Sequence, residues 1–149
     1  ACVDDQMREL NIPILGPERV RTQYPFAALV RAGVRLSVGS DWPVTTPDPL
    51  DIVQVAVTRV PFDHPDREPF LPEERLDLAT ALRAATLGSA FVNHLDGETG
   101  SIEPGKLADL AVLDRNPFDV DPMEVGQARA VLTLVAGEPV FELPSDGVG

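Results

Sequence analysis

The residue of this chain whose type and place most suggest chemistry is an aspartate directly after an alternating apolar run. Val34, Leu36 and Val38 alternate with Arg35, Ser37 and Gly39, which is the period of a strand. The run then breaks into Gly39-Ser40-Asp41-Trp42-Pro43. Glycine permits close backbone approach, and Pro43 has no N–H to continue a ladder. Asp41 is therefore expected where a strand over 34–40 stops and a loop begins; in α/β barrels that end of a strand is where catalytic groups collect. A carboxylate there can take a proton from a water within hydrogen-bond reach and hand it on. Local pattern alone equally allows Asp41 to cap the following turn, a frequent use of aspartate. Ser40 could orient Asp41 through its hydroxyl or serve as a turn serine. Trp42, the single tryptophan, could wall a pocket with its flat amphipathic ring or pack the loop.

The other reactive side chains form no comparable constellation. The two histidines, His64 and His94, are far apart. His64 stands in a proline-rich loop, and His94 is expected to close a helix, where a cation opposes the dipole favourably. Lys106, the one lysine, belongs to a Pro-Gly-Lys turn. Asp63, His64 and Asp66 lie close in sequence, but no Gly-x-Ser-x-Gly accompanies them. Asp119 and Asp121 lack regular calcium-loop spacing and are expected on a solvated face. The single cysteine, Cys2, rules out an internal disulfide.

These residues must be carried by a mixed set of elements. The connector Ile12-Pro13-Ile14-Leu15-Gly16-Pro17 is expected to be non-helical, with two prolines and a glycine in six residues. Tyr24 to Gly33 reads as a short helix stopped by Gly33. Asp48 and Pro49 mark the N-cap and first position of a helix over about 49–60, with Ile52, Val53, Ala56 and Val57 as its apolar stripe and Pro61 as its end. Residues 61–75 hold four prolines and many charges, the composition of a surface loop. Asp77 is expected to cap a helix that buries Leu78, Ala81, Leu82 and Ala85, with a second helical piece from Ser89 after Gly88. Beyond Gly97 the pattern changes to turns and strands. Ser101-Ile102-Glu103-Pro104-Gly105-Lys106 is expected to be a turn, with Pro-Gly at positions typical of type II. Leu110 to Leu113 suits a buried strand, and Ala130–Ala136 with Val140–Leu143 suits a hairpin with Pro139 near an edge or turn. Residues 145–149 are expected to fray.

In chain order stand Tyr24-Pro25-Phe26, Ala32-Gly33-Val34-Arg35, Gly39-Ser40-Asp41-Trp42-Pro43-Val44 and Ala56-Val57-Thr58-Arg59. Leu71-Pro72-Glu73-Glu74-Arg75-Leu76, Gly100-Ser101-Ile102-Glu103-Pro104-Gly105-Lys106-Leu107-Ala108-Asp109-Leu110 and Thr133-Leu134-Val135-Ala136-Gly137 follow. With this series the sequence resembles the third family of the amidohydrolase superfamily, which includes enzymes similar to N-substituted formamide deformylases. The resemblance implies an α/β class: a C-terminal fragment of a TIM-like metal-dependent hydrolase barrel, followed by strands of a small β-sandwich. Residues 1–96 would be the last part of the barrel, including its final strand 34–40, and residues 97–149 the C-terminal strands of the composite sandwich domain. A whole barrel needs roughly 250 residues, so a chain of 149 residues beginning with Ala1 is expected to be a cut-out or processed piece, or to carry a tag-removal scar.

The resemblance also places Asp41 beside a divalent metal, zinc in the complete parent enzyme, as proton-shuttling carboxylate and possible ligand, with Trp42 near the mouth of the substrate site. The family's further ligands are a His-x-His pair and later histidines, in some members with a bridging carboxylate or carboxylated lysine. Catalytic zinc needs about three protein ligands, and Asp41 stands alone. The isolated chain is therefore expected to hold no catalytic metal and to be inactive. The implied substrate is a small amide or formamide. The competing expectation is a non-catalytic fragment serving as an interaction or oligomerisation module. An unrelated acidic binding domain would require the ordered series to be coincidence.

Charge narrows the partners. A net charge of −12 opposes a nucleic-acid partner, which needs a basic stripe, and a polybasic membrane contact. No apolar run reaches the roughly 20 residues of a membrane span, and Asp4, Asp5, Arg8 and Glu9 do not make a signal peptide. A cytoplasmic location is expected. Strands whose barrel and sandwich neighbours are missing expose edges and apolar faces, so a homo-oligomer, most simply a dimer, is expected too.

Overall fold

A computed structural model describes residues 7–144. The element at its centre is the helix α3 (Pro49–Thr58). Asp48 has extended φ/ψ, and its carboxylate accepts from the Leu50 N–H, while Pro49 occupies a position whose N–H has no helical partner anyway. The sequence suggested one apolar stripe, but Ile52, Val53, Gln54, Val55, Ala56 and Thr58 are all buried. A helix covered on all sides lies inside its domain rather than on a surface.

Two clusters cover it. On one side, Val53 and Ala56 meet Ala27 of α2 (Phe26–Arg31), Ala81 of α4 (Leu78–Arg83), Leu76 and Val125, with Phe26, Leu36, Leu78, Leu82 and Ala85 packed around them. On the other, Val55 and Phe70 meet Ile12 and Val20 of α1 (Ile12–Val20), together with Tyr24, Phe62 and Leu71. The expected non-helical connector at 12–17 is thus corrected. Pro13 stands in the first turn, where it removes no helical bond. Gly16, at φ 75° and ψ 166°, absorbs the break, and Pro17 begins the piece beyond it.

Helix ends follow local chemistry. α2 closes with Gly33 at φ 81°, Gly33 N–H to Val30 O (2.9 Å) and Val34 N–H to Leu29 O (3.0 Å), the paired bonds of a Schellman stop. Asp77 caps α4 by accepting from the Thr80 N–H at 2.8 Å. The second helical piece expected from Ser89 is α5 (Ser89–Val92), which α4 reaches through a wide turn at Ala84–Gly88. His94 does not stand inside a helix end but just beyond it, at φ 59°, donating to Phe91 O while Leu95 donates to Ala90 O. The loop 61–75 is also less open than its composition suggests. Pro61 and Phe70 are buried, and Pro72–Glu74 forms a single 3₁₀ turn with Glu74 buried.

The C-terminal part is one antiparallel sheet in the order β1 (Leu110–Leu113), β2 (Ala130–Val135), β3 (Glu138–Glu142). Leu110 pairs with Leu134, and Thr133 pairs with Phe141. The β2–β3 turn is shorter than expected: Ala136 (φ 51°) and Gly137 (φ 85°) connect the strands, and Pro139 lies within the edge strand, where a residue without an N–H is tolerated. Gly105 at φ 94° and Lys106 N–H to Glu103 O (3.2 Å) place the Pro-Gly turn at 103–106, within the 101–106 expected. The buried strand expected at 110–113 is corrected, since Ala111 and Val112 are exposed. This is the only sheet among the described residues, and it contains no parallel pair and no second sandwich layer. The 3₁₀ segment Pro122–Gln127 ties the C-terminal part to the helices: Gly126 N–H donates to Gln54 Oε1 at 2.8 Å, and a Cβ on Gly126 would stand 2.6 Å from Asp51 Oδ1.

Candidate functional site

The segment 34–40 that leads to Asp41 is extended, but it is not a strand of a sheet, contrary to the expectation from its alternation. Alternation specifies two faces, whereas a strand also needs a neighbouring backbone, and no described strand lies alongside. Instead the segment lies on the α4–α5 rod. Val38 N–H donates to Ala84 O at 3.3 Å, and Ser89 Oγ reaches Val38 O at 3.3 Å. Gly88 makes the approach possible, because any Cβ there would meet the Leu36 carbonyl oxygen. Arg35 anchors the outer side, with its guanidinium 3.9 Å from the Phe91 ring centroid and 3.7 Å from Asp96.

At the end of this segment the chain turns sharply. Val44 N–H donates to Asp41 O at 2.8 Å, Asp41 has φ 57°, and the Trp42–Pro43 peptide is cis. Ser40 caps the turn: its Oγ accepts from Trp42 N–H at 3.3 Å, so the hydroxyl serves the backbone rather than orienting Asp41. Thr45 Oγ1 donates to Ser40 O. Thr46 Oγ1 donates to Asp51 Oδ2 at 2.8 Å and accepts from Asp48 N–H at 3.1 Å. The threonines thereby tie the loop to the first turn of α3. Sequence reasoning overlooked this support, although Thr45-Thr46-Pro47-Asp48 before Asp51 has the composition of a helix entry. Burial holds the Asp51 carboxyl above its ordinary pKa, and the Thr46 hydroxyl opposes that shift.

The Asp41 carboxylate takes part in none of this. It is exposed and makes no hydrogen bond or ion pair among the described residues. Trp42 is 64% exposed. Neither lines the large groove of about 1650 Å³ that opens between α3, the α4–α5 rod and β1, among Leu50, Val53, Leu82, Leu110 and Val112. His64 lies past the far end of α3, a helix about 15 Å long at 1.5 Å per residue. His94 follows α5, and Lys106 is turned inward, with Nζ at 2.6 Å from both Asp96 O and Ser101 Oγ. Among the described residues no group of three or more His, Cys, Asp or Glu is placed to hold a metal ion. Asp41 alone does not fit a catalytic ion, and no chemical step through one is derived from this chain.

An extended segment ending in an unengaged aspartate, an α3 entry behind it and a small antiparallel sheet downstream make a mixed α/β structure. Residues 3–141 match the amidohydrolase family, and the chain belongs to it. It is 38% identical over 130 residues to "Protein LONG AFTER FAR-RED 3" of Arabidopsis thaliana, covering 85% of this chain and 21% of that protein. It is 37% identical to an N-substituted formamide deformylase of Arthrobacter pascens (80% and 21% covered) and 30% identical to the putative amidohydrolase YtcJ of Bacillus subtilis strain 168 (86% and 24% covered). The chain therefore spans about a fifth to a quarter of the length of these relatives. No solved structure matches it. No helix among the described residues is long and apolar enough to cross a membrane.

Proposed function

We propose that this chain is the C-terminal portion of a metal-dependent amidohydrolase that cleaves non-peptide C–N bonds of small amides or formamides. In this reading residues 1–96 complete a TIM-like barrel, segment 34–40 becomes its last strand, and residues 97–149 join a composite β-sandwich. The observation that carries it is the disengaged carboxylate of Asp41. Ser40 and the Asp41 main chain already satisfy the turn, so capping does not account for the side chain. An acceptor placed at the end of an extended segment suits proton transfer: Asp41 takes a proton from the attacking water and delivers it to the leaving nitrogen as the C–N bond breaks. By family resemblance the complete parent enzyme would hold a divalent ion, zinc, whose chemistry would be to acidify a bound water. Its remaining ligands belong to the part of the relatives' length that this chain does not span, and the isolated chain is inactive. Trp42, exposed beside Asp41, walls the substrate pocket.

The test uses a full-length enzyme containing this segment. Asp41→Asn keeps the shape of the side chain but cannot carry the proton, and turnover should fall roughly 10²–10⁴-fold with an unchanged melting temperature. Near-normal turnover would remove Asp41 from the mechanism.

Exposed apolar residues favour self-association of the isolated chain as well. Phe91, Val92, Val112, Val140 and Phe141 are each more than 40% exposed, and β3 presents an unpaired edge to any second strand. A homo-dimer that covers these surfaces is the expected state, without nucleic acid or membrane as partner. Light scattering at micromolar concentration reports it, and a monodisperse monomer would refute it.

A further inference from the structure

Gly88 is a glycine that its own backbone does not require. Its φ of −63° and ψ of −43° are helical values open to any residue. Inside a helical rod a glycine is about 1 kcal/mol less favourable than alanine. What the missing side chain permits is contact with segment 34–40. A Cβ on Gly88 would collide with the Leu36 carbonyl oxygen and stand 3.2 Å from the Leu36 carbonyl carbon. Both are main-chain atoms, so no side-chain rotation relieves the clash. Gly39, in the segment itself, differs: a Cβ there meets nothing within 4 Å. The glycine that sets this approach therefore lies on the rod and not beside Asp41.

The contact is the first of a row. The Leu36 side chain packs on the cluster around Val53 and Ala56. Val38 is held at both main-chain atoms, its N–H by Ala84 O and its carbonyl by Ser89 Oγ, each at 3.3 Å. The Ser37 and Ser89 hydroxyls are 3.4 Å apart. Leu36, Val38 and Ser40 are half-buried, whereas Ser37, Gly39 and Asp41 are exposed. Only Gly39 and Ser40 separate the held residue Val38 from Asp41. From the other side, Thr45 Oγ1 donates to Ser40 O, and Thr46 binds Asp51 at the start of α3. The Asp41 carboxylate thus stands between two supports, the rod behind 36–38 and the α3 entry behind 45–46.

We propose that Gly88 is a positioning residue for the Asp41 carboxylate: the depth at which segment 34–40 lies on the rod sets how far that carboxylate projects. Its catalytic consequence rests on the proton-transfer reading of Asp41, whereas the placement itself is tested without that reading.

The placement test uses this chain. Trp42 is the single tryptophan, so its indole N–H gives one NMR cross-peak next to Asp41. Gly88→Ala should shift that peak and the backbone amides of Asp41, Trp42 and Val44. Gly97→Ala is the control, because a Cβ there also meets nothing within 4 Å, and it should leave all four in place. Shifts confined to residues 36–38 in Gly88→Ala would show that the α3 entry alone places the loop, and would overturn the proposal. If Gly88→Ala does not fold, Ser89→Ala decides by the same criterion, since it removes the hydroxyl from Val38 O without adding an atom. The catalytic test uses a full-length enzyme containing this segment. Gly88→Ala should lower kcat about 10- to 100-fold, the scale of a misplacement of about 1 Å. It should add little to the loss already caused by Asp41→Asn. Equal losses in both backgrounds would mean that Gly88 does not act through Asp41. Normal turnover in Asp41→Asn would refute the proton-transfer reading, while the NMR shifts alone decide whether Gly88 places the loop.

Discussion

The two ends of α3 are built in opposite ways. At its C-terminal end Arg59, Phe70 and Glu74 are buried, and the loop 60–69 is fastened by reciprocal main-chain and side-chain bonds. At its N-terminal end Thr45, Thr46, Ser40 and Asp48 satisfy one another locally, and the residues they hold up, Asp41 and Trp42, remain exposed. One end uses its polar groups to close the fold. The other uses them to shape a loop whose carboxylate is left over. A site that receives further groups from elsewhere has to be rigid and uncovered at once, and local hydrogen bonding achieves this where burial would not.

This contrast breaks most visibly at the closed end. Phe70 is 7% exposed and packs against Val55, Ile12, Val20 and Tyr24. Removing its ring by Phe70→Ala should cost about 3–5 kcal/mol, the range for a buried phenyl group. It also takes one aromatic face from Arg59. Urea denaturation measures the loss, and proteolysis within residues 60–69 should accelerate with it. A loss below about 1 kcal/mol would mean that the loop is held by its two reciprocal bonds alone and that the second cluster is not a core.

Much of this asymmetry is legible in the amino-acid sequence, and the exceptions have physical causes. Asp48-Pro49 and Asp77 mark helix starts correctly because capping depends only on a few adjacent residues. Gly33, Gly105 and Gly137 mark positions of positive φ for the same reason. Asp41 is legible as a residue at the end of an extended run, yet its freedom from the turn is not, since it depends on Trp42 N–H going to Ser40 Oγ and Val44 N–H to the Asp41 main-chain oxygen. Segment 34–40 reads as a strand because alternation reports faces, while the ladder depends on a distant partner. The all-round burial of α3 is hidden because Gln54 and Thr58 look like solvent residues. In fact Gln54 Oε1 accepts from Gly126 N–H, and Thr58 Oγ1 donates back to Gln54 O at 2.8 Å. Arg59 carries one signal, a cation directly before Val60 at the end of a largely apolar helix. A lone cation at a helix end reads equally as a solvated one, because such a position also suits the helix dipole.

The open end can be weakened without touching either core cluster. Asp48 accepts from Leu50 N–H at 2.8 Å, and its own N–H is held by Thr46. Asp48→Ala should destabilise the chain by about 1 kcal/mol, the usual value of an N-cap. Asp48→Asn or Asp48→Ser should restore most of that loss. The chemical test of the contrast is that hydrogen exchange at Leu50 increases while exchange at Phe70 follows only the global change. Equal increases at both amides would show that α3 transmits the loss from end to end and that its two ends are one cooperative unit.

Asp51 gives the smallest and most selective effect, because it lies between the exposed loop and the core. Burial is the main cause of its raised pKa, with the charges of Asp48 and Asp63 adding to it and the Thr46 hydroxyl opposing it. A carboxyl whose folded pKa lies above its unfolded value contributes most below the unfolded value, near 3.8, and loses that contribution as pH rises through the folded one. At neutral pH the ionised Asp51 therefore works against folding. Asp77 is opposite in sign: hydrogen bonds from the Thr80 side chain and backbone lower its pKa, so its contribution is present above about 3.8 and disappears as pH falls below it. Asp51→Asn removes the charge, and the amide oxygen can still accept from Thr46. The variant should be more stable than the unsubstituted chain by about 0.5 kcal/mol at pH 7, a small value because solvent screens a partly exposed group. The advantage should shrink as pH falls toward 3.8, where the native carboxyl is itself protonated, while the Asp77 contribution fades equally from both proteins. Paired denaturation curves between about pH 3 and pH 7 separate the two effects. A variant less stable at pH 7 would show that the Thr46 bond to a charged carboxylate outweighs the cost of burying it.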